Sequence, residues 1–290
     1  MNTFIRLIRP RQWSKNSLVF AALIFSQRYG NLDDWLHTLL TFAVFSIVAS
    51  GIYIYNDIRD VDDDRLHPIK RNRPIASGEV NISTAYILAV VLLIGGLVPG
   101  WLLGRNVFIV LLGYEILMVL YSHFLKHVLI LDVFIIAGGL TMRVVAGAEA
   151  IAVEMSHWLL VCAFFISLTL ALAKRRQELA RIGDNRLQGR KSLHEAPPVT
   201  VWDRWVAMVS GITILAYTLY TVDPVTVTKV GSANLLFTMP FVAFAIFRYQ
   251  ILIYRESMGE DPTELLLRDR WIMLTVLGWL IVVLIVLMQG

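Results

Sequence analysis

"YNDIRDVDDDRLHPIKRNRP", residues 55–74, sets five Asp beside five Lys or Arg between two long apolar stretches. A charge run of this kind is ordinarily a solvated loop whose opposite charges pair among themselves. The spacing argues otherwise. Asn56, Asp57, Asp60 and Asp64 stand at i, i+1, i+4 and i+8, so on a helix they line one face, while Asp62 and Asp63 point away from it. The stretch therefore reads as the polar end of a membrane helix that carries an ordered row of carboxylates.

Composition supports the membrane setting. The chain has 290 residues, 57% apolar and 17% charged, against about a quarter charged in a soluble domain. Its net charge of +4 would suit nucleic acid, but the cations cluster at one set of loops, which points to a membrane instead. "MNTFIRLIRPRQWSKN" at the start has four cations and no small-residue cleavage site before the first apolar run, so no cleaved leader is expected. The lone cysteine, Cys162, lies in an apolar stretch and excludes a disulfide framework or a multi-cysteine metal site.

Stretches long enough to cross a hydrocarbon core need roughly 17–25 mostly apolar residues. They lie near 35–55, 82–103, 106–124, 128–149, 156–173, 205–222, 232–253 and 271–289, with a shorter one near 17–30. Counting that one gives nine spans, and the cations then sort by side. Segments 1–16, 56–81, 125–127, 174–204 and 248–270 hold 22 of the 26 Lys and Arg, and the opposite loops hold only Arg28, Arg105 and Lys229. The positive-inside rule thus places the N-terminus in the cytoplasm and the C-terminus outside. Both long polar loops face the cytoplasm. Residues 1–290 are expected to form one integral-membrane domain.

Aligned carboxylates bind hard cations, and Mg²⁺ is commonly held by one or two of them together with substrate phosphates. Asn56 adds a neutral oxygen or an amide donor. Lys70, Arg71 and Arg73, a few residues on, suit phosphate oxygens. Acid followed by base is what a metal-bridged diphosphate requires. The second polar segment opens with "LALAKRRQEL", where Lys174 and Glu178 share a helix face and can pair. "YSHFLKH" offers Tyr121 and Lys126, then Asp132; anchoring at the interface is the competing use of that pair. Glu115 and Arg143 are ionisable groups inside spans, which are costly and usually have a task. No spacing suggests a nucleophile elbow, a zinc site or a P-loop.

"NDIRDVDDD" resembles the N-D-x-x-D-x-x-x-D signature of the UbiA superfamily of intramembrane prenyltransferases, and "RPIASGEV" resembles the segment that follows it there. The resemblance covers essentially the whole chain. It implies an all-α bundle of nine transmembrane helices around a central cavity open to the cytoplasm. Prenyltransferases of the superfamily carry a second acidic D-x-x-x-D motif after the sixth helix; this chain has "KRRQE" there. That departure is similar to one subgroup, the decaprenyl-phosphate phosphoribosyltransferases, as are "RPRQWSKN" at 9–16, "DRLHPIKRNRPIASG" at 64–78, "YSHFLKHVLILDV" at 121–133 and "ELLLRDR" at 264–270.

The resemblance implies phosphoribosyl diphosphate as donor, a polyprenyl phosphate as acceptor, and a product leading toward decaprenylphosphoryl arabinose for the cell wall. In that setting Asp57, Asp60 and Asp64 hold Mg²⁺, with Asn56 beside them. Lys70, Arg71 and Arg73 hold the diphosphate or the ribose 5-phosphate. Lys15, Lys126, Lys174 and Arg175 are candidates for the acceptor's phosphate, with Tyr121 at the interface. The expected place is a bacterial plasma membrane, with oligomers allowed. Two other readings compete. A prenyl transfer to an aromatic acceptor would want carboxylates where "KRRQE" stands. A transporter of a lipid phosphate would want polar residues through the midplane.

Overall fold

Every regular element of the computed structural model is a helix, among the described residues 3–67, 69–182, 195–255 and 268–289. Eight of these helices are long and apolar enough to cross a membrane: Leu32–Arg59, Ile82–Leu103, Arg105–His123, Leu131–Ala150, His157–Arg181, Val199–Val222, Asn234–Tyr254 and Arg270–Gln289. The chain is a multi-pass membrane protein. It divides into two compact units, residues 1–126 with 139–155, and residues 127–138 with 156–290.

In the first unit, α1 (Thr3–Ile8) leads through Arg9 into a 3₁₀ helix, Pro10–Phe20, and then α2 (Ala21–Phe25). The expected span near 17–30 is therefore not one of the eight α-helical candidates. Pro10 opens the 3₁₀ run at a position where its missing N–H costs nothing. The hydroxyls of Ser14 and Ser17 donate to the carbonyls of Arg11 and Ser14, three residues back, at 3.0 and 2.7 Å. These i−3 bonds favour the tighter winding.

This segment runs antiparallel along α3 (Leu32–Arg59). Arg9 meets Asp57, Trp13 donates to Ser50 and Asn16 to Ser46 (both 3.0 Å), and the Phe20 ring lies 5.8 Å from that of Phe42. At 2.0 Å per residue, Pro10–Phe20 with α2 extends about 30 Å, close to a hydrocarbon core. An α-helix of that length would need about 20 residues.

α3 starts on Asn31, whose side chain accepts from the Asp33 amide, with Asp33 and Asp34 in the first turn where the helix dipole favours them. Asp60 ends it, and α4 (Val61–Leu66) follows at once. α5 (Ile82–Leu103) is capped by Asn81 and presses on α3: a Cβ on Gly96 would stand 2.4 Å from a Val48 methyl. α6 (Arg105–His123) and the later part of α7 (Leu131–Ala150) complete the unit. Ile87, Val91, Ile94, Val98 and Leu102 are exposed along α5 at three- and four-residue steps, a lipid-facing stripe.

Arg143 of α7 is 3% exposed. Its guanidinium donates to the Asn16 side chain (2.7 Å), the Gly139 carbonyl (2.6 Å) and the Tyr114 hydroxyl (3.1 Å), and lies over the rings of Phe45 and Tyr114. Arg143 is thus a structural hub tying the 3₁₀ segment to α6 and α7. Glu115, on α6, is also buried, and its Oε1 has no hydrogen-bond partner among the described residues.

In the second unit, α8 (His157–Ile182) and α9 (Val199–Val222) pack through Leu168, Leu172, Trp202, Val206 and Val209, joined by Val133 and Ala137. α10 (Pro224–Val230), α11 (Met239–Arg255) and α12 (Arg270–Gln289) follow. The Tyr217 hydroxyl links Thr238 (2.6 Å) and the Trp279 indole (2.8 Å). Asp269 accepts from the amides of Trp271 and Ile272, capping α12, and pairs with Arg248 at 2.7 Å. α8 runs on to Ile182, so "KRRQE" is helical rather than a loop. Residues 183–194 of the second polar segment and residues 264–267 of "ELLLRDR" lie outside the described residues.

Candidate active site

The near-continuous helix α3–α4 carries the acidic row as its spacing predicts. Asp57 and Asp64 are buried, and the Asp60 side chain is 15% exposed, whereas Asp62 and Asp63 face outward. Each inward carboxylate is met by a cation. One Arg73 nitrogen bridges Asp57 (3.0 Å) and Asp64 (2.6 Å). Lys126, itself buried, pairs with Asp60, which also accepts from the Asn56 amide at 2.9 Å. Six expected residues therefore gather on one face in two groups, Asp57 and Asp64 with Arg73, and Asp60 with Lys126 and Asn56.

A seventh member was not legible. The Arg9 guanidinium lies 2.5 Å from both oxygens of Asp57 and 5.6 Å from the Tyr53 ring centre. Its backbone is left-handed, φ 50° and ψ 62°, a conformation uncommon for a side-chain-bearing residue. In sequence Arg9 looks like any cation anchoring a membrane edge, and only its place just before Pro10 hints at a turn.

Burial pushes the Asp64 carboxyl above the usual range, and the Arg73 guanidinium, with Lys70 beyond it, pulls the other way. Lys70 and Arg71 sit on the 3₁₀ turn Lys70–Asn72, Lys70 half-buried and Arg71 exposed. Lys15 and Tyr121 are half-buried. Arg6 pins the far side of this region, pairing with Glu79 at 2.7 Å and donating to the Asn72 carbonyl at 2.5 Å.

The donor set fits Mg²⁺. Two carboxylates already share one cation, and that ion needs only one or two together with phosphate oxygens. Among the described residues, no three His, Cys, Asp or Glu side chains stand together as a ready-made cage. The guanidinium groups of Arg9 and Arg73 stand on the carboxylates that would hold the metal.

In the second unit, Lys174 is exposed on α8, but Arg175 is buried: it pairs with Asp132 and, at 2.5 Å, with Glu178. Glu178, expected to share a helix face with Lys174, also meets Arg175. Arg176 pairs with Asp203 at 2.8 Å.

The UbiA prenyltransferase family model matches residues 17–271. The chain belongs to the UbiA prenyltransferase family. Among curated relatives, the decaprenyl-phosphate phosphoribosyltransferase of Mycobacterium tuberculosis is 33% identical over 95% of this chain and 91% of its own length. The one from Mycolicibacterium smegmatis is 35% identical over 95% and 89%. Among solved structures, a UbiA homolog from Archaeoglobus fulgidus bound to GPP and Mg²⁺ aligns with a TM-score of 0.71 at 19% identity, covering 99% of this chain and 100% of that one. The last likeness is one of fold. As its curated relatives are, this UbiA member is a transferase.

Proposed function

We propose that this UbiA-family protein transfers a 5-phosphoribosyl group from phosphoribosyl diphosphate to a polyprenyl phosphate, releasing diphosphate, in a bacterial plasma membrane, with decaprenyl phosphate as the acceptor and a cell-wall arabinose donor as the eventual product. The observation that carries it is the state of the carboxylates around residues 174–178. Glu178 is the lone carboxylate there, beside Lys174, Arg175 and Arg176, and it meets Arg175, so that stretch is basic rather than acidic. A basic stretch suits an acceptor bearing one phosphate, and the names of the relatives point the same way.

Asp57, Asp60 and Asp64 would hold Mg²⁺, which neutralises charge building on the departing diphosphate. Asn56 orients Asp60 through its amide. Arg73, Lys70 and Arg71 grip the diphosphate or the 5-phosphate, fixing C1 of the ribose against its attacker. The acceptor phosphate is already an anion at neutral pH, so no residue need remove its proton. Lys174 reaches it from an exposed helix position, and the buried Arg175 sets that part of α8 in place. Lys15, Lys126 and Tyr121 are further candidates for contacts to the substrates. The whole chain acts as one catalytic domain, at the cytoplasmic face.

The test is a lipid-extraction assay. Purified protein receives Mg²⁺, a polyprenyl phosphate and labelled phosphoribosyl diphosphate, or in parallel a labelled prenyl diphosphate with an aromatic acceptor. Label entering the lipid phase only from phosphoribosyl diphosphate is the expected result. Prenyl transfer in its place establishes the competing reading.

A further inference from the structure

The acidic row is neutralised before any metal arrives. Asp57 is held by Arg9 and Arg73, Asp64 by Arg73, and Asp60 by Lys126, while Lys70 adds a positive field at Asp64. A dication entering such a half-buried site alone must drive cations off the carboxylates and leave them without an anion, in surroundings where uncompensated charge is costly. A diphosphate entering with the metal removes that penalty, because it supplies the anion the displaced cations need.

Exposure separates the cations. The side chains of Arg9 and Arg73 are 24% and 26% exposed, whereas that of Lys126 is 6% exposed. Arg9 also sits at the strained junction of two short helices, outside regular structure on its own left-handed residue. A guanidinium that covers both oxygens of Asp57 competes directly with any metal for them, and its planar fork fits phosphate as well as carboxylate.

We propose that Arg9 and Arg73 are exchangeable counter-cations that sit on Asp57 and Asp64 in the free enzyme and pass to the diphosphate when metal binds, so that metal and diphosphate are taken up together and neither well alone. The proposal rests on the reading above only for a diphosphate-bearing donor and a divalent ion, and is indifferent to whether a ribosyl or a prenyl group is carried.

Binding is measured on the full-length protein in detergent, with Mn²⁺ followed by electron paramagnetic resonance as the metal probe and inorganic pyrophosphate as the anion. In the wild type, pyrophosphate should tighten Mn²⁺ binding at least tenfold, on the order of one charge-assisted contact. Arg9→Gln removes the competitor and the phosphate arm at once. Mn²⁺ alone should then bind more tightly, while pyrophosphate with saturating Mn²⁺ binds more weakly, on the order of ten- to a hundredfold. Arg9→Lys should recover part of the pyrophosphate affinity. A merely structural Arg9 would weaken both constants together. That result, or Mn²⁺ affinity in the wild type indifferent to pyrophosphate, overturns the proposal, and the wild-type measurement decides even if Arg9→Gln does not fold. Because inorganic pyrophosphate carries no transferable group, a wrong donor assignment shows only in the lipid-extraction assay.

Discussion

Nε of Arg143 donates to the side-chain oxygen of Asn16 at 2.7 Å, joining α7 to the 3₁₀ segment across 127 residues of chain. Asn16 in turn donates to Ser46 of α3, so a single amide links three elements. One turn further along α7, Gly147 faces the same segment. A Cβ there would lie 2.0 Å from the Val19 carbonyl oxygen, which is backbone and cannot rotate away. Gly147→Ala should lower the melting temperature in detergent and deplete the folded fraction. The control is Gly211→Ala, where a Cβ meets nothing within 4 Å.

The same segment bears on topology. If it makes the first crossing, the chain crosses nine times and its ends lie on opposite sides, as the cation bias requires. A reporter active only in the cytoplasm should be silent when fused after Gly290 and active when placed within 184–195. Activity after Gly290 would instead mean an even number of crossings.

Asp57→Asn should abolish turnover, since it removes a proposed metal donor and leaves Arg9 and Arg73 facing an amide. Asp62→Asn and Asp63→Asn alter outward-facing groups and should leave turnover within about twofold, because surface changes away from such features cost little. Steady-state rates across a Mg²⁺ titration, with EDTA as the blank, check this. Equal loss in all three variants would remove the metal assignment from the inward face.

Lys174 and Arg175 are adjacent but should behave differently. If Lys174 contacts the acceptor's phosphate as proposed, Lys174→Ala removes a contact worth roughly 1.5–3 kcal/mol and should raise KM for the lipid on the order of ten- to a hundredfold with kcat little changed. Arg175→Ala strands the buried carboxylate of Asp132, a loss of the kind that costs about 3–5 kcal/mol of stability. It should fail in folding before it fails in kinetics. Thermal melts beside lipid-varied kinetics separate the two.

Asp269 provides the pH dependence. The Arg248 guanidinium, opposed by slight burial and aided by the α12 amides, holds its carboxyl below the usual range. A lowered carboxyl contributes stability above its unfolded value near about 3.9 and loses it as pH falls through the folded value. Acid should therefore fray the start of α12. Asp269→Ala should cost about 1 kcal/mol at neutral pH as a lost cap, and its stability should change less than the wild type's between about pH 5 and pH 3. Melting curves across that range are the check.

The eight long helices and the inward carboxylates were legible because both rest on local periodicity, which sequence displays directly. Asp62 and Asp63 face outward as i+4 spacing requires. What stayed hidden depends on pairing between distant residues. Arg9 and Asp57 stand 48 positions apart; the resemblance marked "RPRQWSKN" as a stretch, but no spacing within it singles out Arg9 as the partner of Asp57. Arg175 and Lys174 look equivalent as letters, and only the pairing with buried Asp132 makes Arg175 a buried strut while Lys174 is exposed. The short span was expected near 17–30, whereas the helical run begins at Pro10 and winds as 3₁₀ to Phe20: hydropathy windows assume an α-helical rise, and Trp13, Ser14, Lys15 and Asn16 dilute the apolar signal.

The 3₁₀ winding between Arg9 and Asn16 also acts as a ruler. Each residue there advances about 2.0 Å and turns by about a third of a circle, so one inserted or deleted residue would rotate Arg9 off Asp57 whenever Asn16 kept its place on Arg143. Substitutions along Arg11, Ser14 or Ser17 should be absorbed far more easily than any change in their number. In this chain the count of residues from Arg9 to Asn16 is under tighter constraint than most of their identities.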